Sequence, residues 1–392
     1  MHHKEVKSRI GRKVVISSVG EERVEAYLPP PLPPDPRVNV EMLTDKLAKA
    51  HLVIGRLDGL TAILPDIPIF LYTYVRQEAL LSSQIEGTQS SLSDLLLFEV
   101  DGAPGVPPDD VQEVSNYVAA MFHGLKRIKE DFPLSQRLIR EIHEVLLSKG
   151  RGSTKLPGEF RRSQNWIGGS RPGKALYVPP PPGHVVDLMS DLEKFIHTDY
   201  PEYPTLVKVG LMHVQFESIH PFLDGNGRLG RLLITFLLCA SELLEHPTLY
   251  LSLYFKTHRS RYYELLQRVR THGDWETWLE FFLDGVIHTS EHATKTAKKI
   301  LELFERDHKK IKQSGQLVAS SLRVHRVLQE RPVLPASYAA DSAGISLPTV
   351  YSAVKHLQKI GIVKEVTGKK WNRVFAYDEY CRILSETSDP VA

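Results

Sequence analysis

The sequence predicts a mainly α-helical protein, with one β-hairpin laid against the helical body and a small helix-turn-helix unit with a hairpin wing at the C-terminus. Three observations predict it. Apolar residues recur at three- and four-residue spacing through most of the chain from Val40 to the end of the 290s, the period of a helix with one buried face. One stretch, Phe160 to Pro182, breaks that period with Gly168-Gly169-Ser-Arg-Pro-Gly173 between two short segments. From about Val318 the order becomes helix, helix, turn, helix, hairpin, the order of a winged helix-turn-helix unit.

Residues 1–28 are polar and mixed in charge, and Leu28 to Pro36 carries six prolines. That run excludes helix and central strand, and is expected as an extended arm hugging the surface; the alternative is a ligand for a proline-reading module. The helical period is clearest in Leu43–Leu60, Ile69–Ile85, Val111–Phe132, Leu138–Leu147, Val185–Phe195 and Leu206–Ile219. Gln164–Ile167 and Ala175–Val178 are the expected arms of the hairpin, closed off by prolines 179–182. Because an isolated hairpin is only marginally stable, it should lie on the helical body as a flap. Residues 291–313 are polar and highly charged, and read as a linking helix. Beyond it, helices are expected at Ser321–Gln329, Ala336–Ala343 and Thr349–Ile360. A hairpin of Ile362–Glu365 and Arg373–Tyr377 then turns at Thr367-Gly-Lys-Lys370.

With 392 residues, the chain should hold two or three domains. A net charge of +2, from 49 basic and 47 acidic residues, argues against global capture by nucleic acid or an anionic membrane. Two cysteines, Cys239 and Cys381, suggest neither a disulfide framework nor a cysteine-rich zinc site, and point to a reducing, cytoplasmic setting. No apolar secretory segment follows Met1, and the longest apolar run, Leu232 to Ala240, is too short to span a bilayer.

The chemistry is concentrated in His220-Pro-Phe-Leu-Asp224-Gly-Asn-Gly-Arg228-Leu-Gly-Arg231, a loop entering a new helix that runs to Leu244. Gly225 and Gly227 around Asn226 let backbone amides converge, and the helix N-terminus adds partial positive charge, so the loop is an anion cradle. Arg228 and Arg231 lie three apart, on one face beside the cradle, and guanidinium groups fork onto phosphate oxygens. Asp224 supplies a hard oxygen suited to Mg²⁺. His220 can take a proton near neutral pH. Together these groups describe phosphoryl-type chemistry on a nucleotide.

This segment resembles, without departure, the signature of the Fic family, His-x-Phe-x-(Asp/Glu)-Gly-Asn-Gly-(Arg/Lys)-x-x-Arg. The resemblance implies a Fic-type helical core and transfer of AMP from Mg-ATP onto a Ser, Thr or Tyr hydroxyl of a target protein, the chain itself included. His220 would be the base and Asp224 the Mg²⁺ ligand. The Gly225–Gly227 amides with Asn226 would hold the α/β phosphates, and Arg228, with Leu229 and Gly230 in the same helical turn, would complete the nucleotide site. Arg231 would grip the γ-phosphate, while Phe222 would anchor the loop in the core. Upstream, Ser82-Ser-Gln-Ile-Glu86-Gly87 is similar to the family's inhibitory pattern (Ser/Thr)-x-x-x-Glu-(Gly/Asn), which implies that Glu86 pairs with Arg231 and denies it to ATP. Tyr262 and Tyr263 resemble the tyrosine pair that contacts base and ribose. Gly158-Glu-Phe-Arg-Arg162 resembles a family structural element without a chemical role.

These readings divide the chain into an N-terminal arm with the inhibitory helix (1–110), the catalytic core (111–290), the linking helix (291–317) and the winged unit (318–392). Two alternatives stand beside AMP transfer. In one, the winged unit binds DNA through Ser346, Thr349, Ser352, Lys355 and His356, with Lys364, Lys369, Lys370 and Arg373 on phosphates, and the helical body is auxiliary. In the other, the same site removes AMP or transfers another nucleotide-derived group. The kinase-like Doc branch of the family differs at Gly225 and at the first arginine, where this chain keeps the Fic pattern.

Overall fold

The computed structural model describes residues 9–386 apart from 20–21, 64–66, 102–107, 316 and 369–372. The wing lysines Lys369 and Lys370 therefore lie outside the described residues.

The helical body forms as the periodicity predicts. Its helices are α1 (Thr44–Ile63), α2 (Ile67–Ile85), α3 (Leu92–Asp101), α4 (Pro108–Lys129), α5 (Gln136–Leu146), α6 (Val185–His197), α7 (Thr205–Ile219), α8 (Asn226–Ala240), α9 (Ser252–Thr257), α10 (Arg259–His272) and α11 (Trp275–Lys312). At its centre, α7 is buried on all sides from Val209 to Ile219, with His213, Gln215, Glu217 and Ser218 among its buried residues. It is packed by α6, α8, α10 and α11.

Three features differ from the sequence expectation. First, the N-terminal segment is not merely polar. It folds into an antiparallel pair, β1 (Arg12–Val19) and β2 (Glu22–Leu28), with Val24, Ala26 and Leu28 turned inward. That alternation has period two, and it was hidden by the charges between the apolar residues. Second, the expected hairpin at Phe160–Pro182 is a loop closed by one bridge, Ile167 with Tyr177, and by a 3₁₀ turn at Pro172–Lys174. Gly168 and Gly169 adopt positive φ, and a Cβ on Gly169 would overlap the Lys174 carbonyl. The turn thus consumes residues that longer arms would need. β2 lies along this loop, where Tyr27 N–H donates to the Val178 carbonyl at 2.9 Å.

Third, the linking helix is not separate. Its residues are the second half of the 38-residue α11, capped by the Asp274 carboxylate on the Thr277 amide. One half of α11 packs on α1 and the other on the C-terminal unit. That unit comprises α12 (Val318–Glu330), β3 (Val333–Pro335), α13 (Ala336–Ala343), α14 (Leu347–Lys359), β4 (Val363–Glu365), β5 (Val374–Tyr377) and α15 (Asp378–Glu386). Its strands run antiparallel in the order β3-β5-β4.

The unit shares one continuous apolar core with the helical body. Polar contacts reinforce the seam: Thr73 Oγ1 lies 3.0 Å from the Tyr380 hydroxyl, Gln77 donates to the Leu384 carbonyl, and Arg331 donates to the Glu99 carbonyl. The proline arm after β2 lies against α7, where the Pro30 carbonyl accepts from Gln215. Among the described residues no helix is long and apolar enough to cross a membrane.

Candidate active site

The site is built where α7 ends. His220 closes that helix in the left-handed region (φ 50°, ψ 61°), an unusual conformation for a non-glycine residue. Two arginines hold it there. Arg161 donates Nε–H to the His220 carbonyl and Nη2–H to the carbonyls of Pro180 and Ile219. Arg270 donates to Ser218 Oγ and to the Glu217 carbonyl, with its guanidinium 3.8 Å over the Tyr177 ring. The Gly158–Arg162 element thus gains a definite role, because its Arg161 ties the flap to the histidine. Burial, with the cations of Arg270 and Arg161 behind it, pushes the His220 imidazole down to about 3, so it is neutral and able to accept a proton. Its Nδ1 has no hydrogen-bond partner and faces Glu217 Oε2 at 4.0 Å. Burial also raises the Glu217 carboxyl to about 7.

The loop after His220 is stapled from within. Phe222 is fully buried and stacks on His143 with ring centroids 3.7 Å apart. Gly158 N–H donates to His143 Nδ1, so Nε2 carries the proton and donates to the Asp224 carbonyl at 3.0 Å. Burial holds that imidazole near 4, and therefore neutral. His143 carries no signal in the sequence beyond being a polar residue on an apolar helix face.

Asn226 is also a staple. Its Oδ1 accepts from the Phe222 amide and its Nδ2 donates to the Phe222 carbonyl. The side chain expected on phosphates is thus consumed by the loop, and only its backbone amide remains for a ligand. The Gly225 amide is taken as well, by Asp224 Oδ1 at 2.6 Å. The free donors of the cradle are therefore the first-turn amides of α8, those of Asn226, Gly227 and Arg228, which precede the first helical bond from Leu229 to Gly225.

Arg228 and Arg231 leave the cradle in different directions. Arg228 meets Glu113 at 3.2 Å, and Glu113 also meets Arg151 at 2.8 Å. Arg231 meets the upstream helix. Its Nε donates to Ser82 Oγ at 2.8 Å, while Nη2 donates to the Ser82 carbonyl at 2.9 Å and to Glu86 Oε1 at 2.7 Å. Glu86 stands just past the end of α2, before Gly87 at φ +99°. Its carboxylate rests on Gly227, where any Cβ would overlap Oε1.

A cavity of about 270 Å³ remains, lined by Glu86, Arg151, His220, Leu223 and the 224–228 segment. Leu229 and Gly230, expected at the nucleotide, are not part of that wall. Leu229 is buried in the core, and Gly230 is pressed against α7, where a Cβ would overlap Glu217 Oε1. Tyr262 is likewise a core residue. It is 1% exposed and its hydroxyl sits 2.8 Å from His213 Nε2. Tyr263 is 38% exposed and lies under Arg259, which also holds the Ile85 carbonyl. Of the expected pair, only Tyr263 is accessible, because consecutive residues of α10 point to different faces.

Among the described residues no group of three His, Cys, Asp or Glu side chains converges on a common point. Of the two carboxylates at the cradle, Glu86 is taken by Arg231, and Asp224 stands at the mouth. That donor set fits Mg²⁺ shared with phosphates and water rather than an all-protein metal cage. Glu113, His143, Arg161, Glu217 and Arg270 complete the constellation; of these only Arg161 fell in a segment singled out in the sequence, and there without a chemical role.

Comparison with known proteins finds matching families and folds. Residues 44–126 match the Fic/DOC family N-terminal model and residues 133–238 the Fic/DOC family model. Over 205 residues the chain is 34% identical to a protein of Aedes aegypti named protein adenylyltransferase Fic, covering 51% of this chain and 38% of that protein. The chain thus spans about two fifths of this curated relative's length. A Fic family protein from Desulfovibrio desulfuricans G20 has the same fold, with TM-score 0.57 and 20% identity over 87% of this chain and 97% of the other. A Fic domain containing signaling protein from Bacteroides thetaiotaomicron VPI-5482 aligns with TM-score 0.50 and 20% identity over 65% of this chain and 98% of its own. This chain carries the two domains of the Fic/DOC family, the N-terminal domain over residues 44–126 and the Fic domain over residues 133–238.

Proposed function

We propose that this chain transfers AMP from Mg-ATP to a hydroxyl of a protein, itself included, and that Glu86 holds it in check. The observation that carries the proposal is the convergence, in one cavity, of a neutral imidazole, the Asp224 carboxylate and the unpaired amides of a helix N-terminus, with Glu86 on its wall. Asp224 would hold Mg²⁺, which would supply charge neutralisation. The first-turn amides of α8 hold the phosphate oxygens by direct donation. His220 accepts the hydroxyl proton as the hydroxyl oxygen bonds to the α-phosphorus. The bond from that phosphorus to the bridging oxygen breaks, and pyrophosphate leaves. Glu217 stands 4.0 Å from Nδ1 of His220, without a hydrogen bond to it. With Glu86 on Arg231, the position of the γ-phosphate is closed.

The test is incorporation of α-³²P from ATP by the Glu86→Gly protein. His220→Ala in that background should lower incorporation by about 10²–10⁴-fold, the usual contribution of a general base. Retained labelling would refute the role of His220, and no labelling with any nucleotide by Glu86→Gly would refute nucleotidyl transfer itself.

We read the C-terminal unit as a winged helix whose packing onto α2 fixes the helix that carries Ser82. The DNA-binding alternative finds little support in its cations: Lys364 is paired with Asp378, Arg373 with Glu365, and His356 with Ser321 Oγ. Ser346 and Thr349 hydrogen-bond to each other as a helix cap. A salt-sensitive mobility shift of duplex DNA by the full chain would restore that alternative.

A further inference from the structure

The N-terminal hairpin lies ahead of residue 44, where the matched family domains begin, yet it is joined to the flap. β2 donates from Tyr27 to the Val178 carbonyl, packs on the Pro172–Lys174 turn, and shares a small apolar cluster with it through Val24, Ala26 and Val178. Two cavities open along this seam, of about 490 and 730 Å³. Both fall in the size range of ligand-binding clefts, and both exceed the cavity at His220. The first has walls of Tyr27, Tyr177 and Leu176, with the Arg270 guanidinium on its lining. Leu176 is 81% exposed, and Val15 of β1 and Trp166 of the flap are also exposed. Leu176, the most exposed of these, stands on the wall of the first cleft, where a partner's apolar side chain would cover it.

The rim is basic. Among the described residues, Lys13 and Arg23 both lean on the carboxylate of Glu25, at 3.6 and 3.1 Å. Lys174 on the adjoining turn is exposed, and Arg270 adds a cation that is bound by a hydroxyl and a carbonyl. We infer that hairpin and flap together form a docking platform for an acidic segment of the target protein, one that carries an apolar anchor near the hydroxyl to be modified. The apolar side chain enters the cleft beside Leu176, and the acidic residues meet Lys13, Arg23 and Lys174. Such charges act mainly on encounter and partner choice. The occupied Val178 carbonyl leaves β1 as the outer strand of the hairpin, open to strand addition.

This inference rests on the proposed transfer to a protein, and its test separates the two. A fluorescein-labelled peptide rich in Asp and Glu, with one Leu and one Ser, is titrated with the full chain and followed by anisotropy. It is compared with the same peptide bearing Lys in place of the acids, and with duplex DNA. The acidic peptide should bind about tenfold more tightly than the basic one, and the Lys13→Glu/Arg23→Glu/Lys174→Glu protein should reverse that order. Should the hairpin be lost in that variant, Lys174→Glu/Leu176→Ser alters the flap alone and should still weaken the acidic peptide. Equal binding of the two peptides, an unchanged order in both variants, or tighter binding of DNA than of the acidic peptide would overturn the platform. Labelling from ATP in the Glu86→Gly background reads the other proposal. A docked but unlabelled peptide counts against transfer alone, and labelling without charge preference counts against the platform alone.

Discussion

Two arginines, one helical turn apart on α8, meet two glutamates, and the pairs are of different kinds. Arg228 and Glu113 have side chains 2% and 1% exposed, and Glu113 is further held by Thr88 and Arg151. Arg231 is as deeply buried, but its partner Glu86 is 31% exposed and sits on a turn between the end of α2 and a positive-φ glycine. One pair is closed to water on both sides, while the other can be reached from solvent on the glutamate side. Removing Glu113 from the closed pair leaves the buried Arg228 with only a 3.6 Å contact to Asp224. Removing the reachable carboxylate lets water and Ser82 take its place. Identical chemistry therefore yields a strut in one case and a latch in the other, and the burial of the partner decides which.

The comparison breaks most easily at the strut. Glu113→Ala should lower stability by up to about 3–5 kcal/mol, the cost of breaking a buried pair, since Arg228 then keeps only its 3.6 Å contact with Asp224; urea unfolding reads the loss. A loss below about 1 kcal/mol would put the two pairs in one class. At the latch, Glu86→Gly should raise AMP incorporation about tenfold or more, equivalent to ~1.4 kcal/mol of barrier, while the urea midpoint hardly moves. A large stability loss with no gain in rate would make Glu86 another strut.

The pH dependence sharpens the contrast on the histidine side. Burial raises the Glu217 carboxyl to about 7 in the folded protein, so between its unfolded value and 7 the native state holds the extra proton. Stability from this group is complete at low pH and is lost as pH rises through 7. Glu217→Gln should therefore gain stability relative to the parent at pH 8 and match it at pH 4. His220, His213 and His143 act with the opposite sign. Held at about 3, 3 and 4, they stay neutral while the unfolded chain protonates, so their stability is lost as pH falls below the ordinary histidine range. The smallest effect separates the neighbouring tyrosines. Tyr262→Phe should cost about 1 kcal/mol of stability through its lost bond to His213 and leave the KM for ATP unchanged. Tyr263→Ala should raise that KM with little change in stability.

Much of the site was legible because its chemistry is contiguous. His220, Asp224, the glycines and both arginines fall within twelve residues, and a loop entering a helix is a local construction. The reach of Glu86 to Arg231 was suggested by a second short pattern rather than by any periodicity. Glu113 and His143 were invisible, and Arg161 was noticed only as part of a structural element, since each acts through a backbone or side-chain partner far along the chain. His143 touches the carbonyl of a residue 81 positions away, and Arg228 reaches Glu113 across 115. The N-terminal hairpin was legible in principle, from Val24, Ala26 and Leu28, but charged neighbours masked its alternation.

By itself the sequence determined the helical character, the loop with its anion cradle, and the residue types available for proton transfer and charge neutralisation. Those properties follow from period, glycine placement and side-chain chemistry, all of which operate over a few residues. Only the tertiary structure decided which glutamate each arginine takes, which of two adjacent tyrosines faces solvent, and that Asn226 staples the loop instead of meeting a ligand. It also decided that the C-terminal unit shares a core with the body and that the hairpin joins the flap. Burial and long-range pairing set these outcomes, and neither is a property of any short stretch of chain.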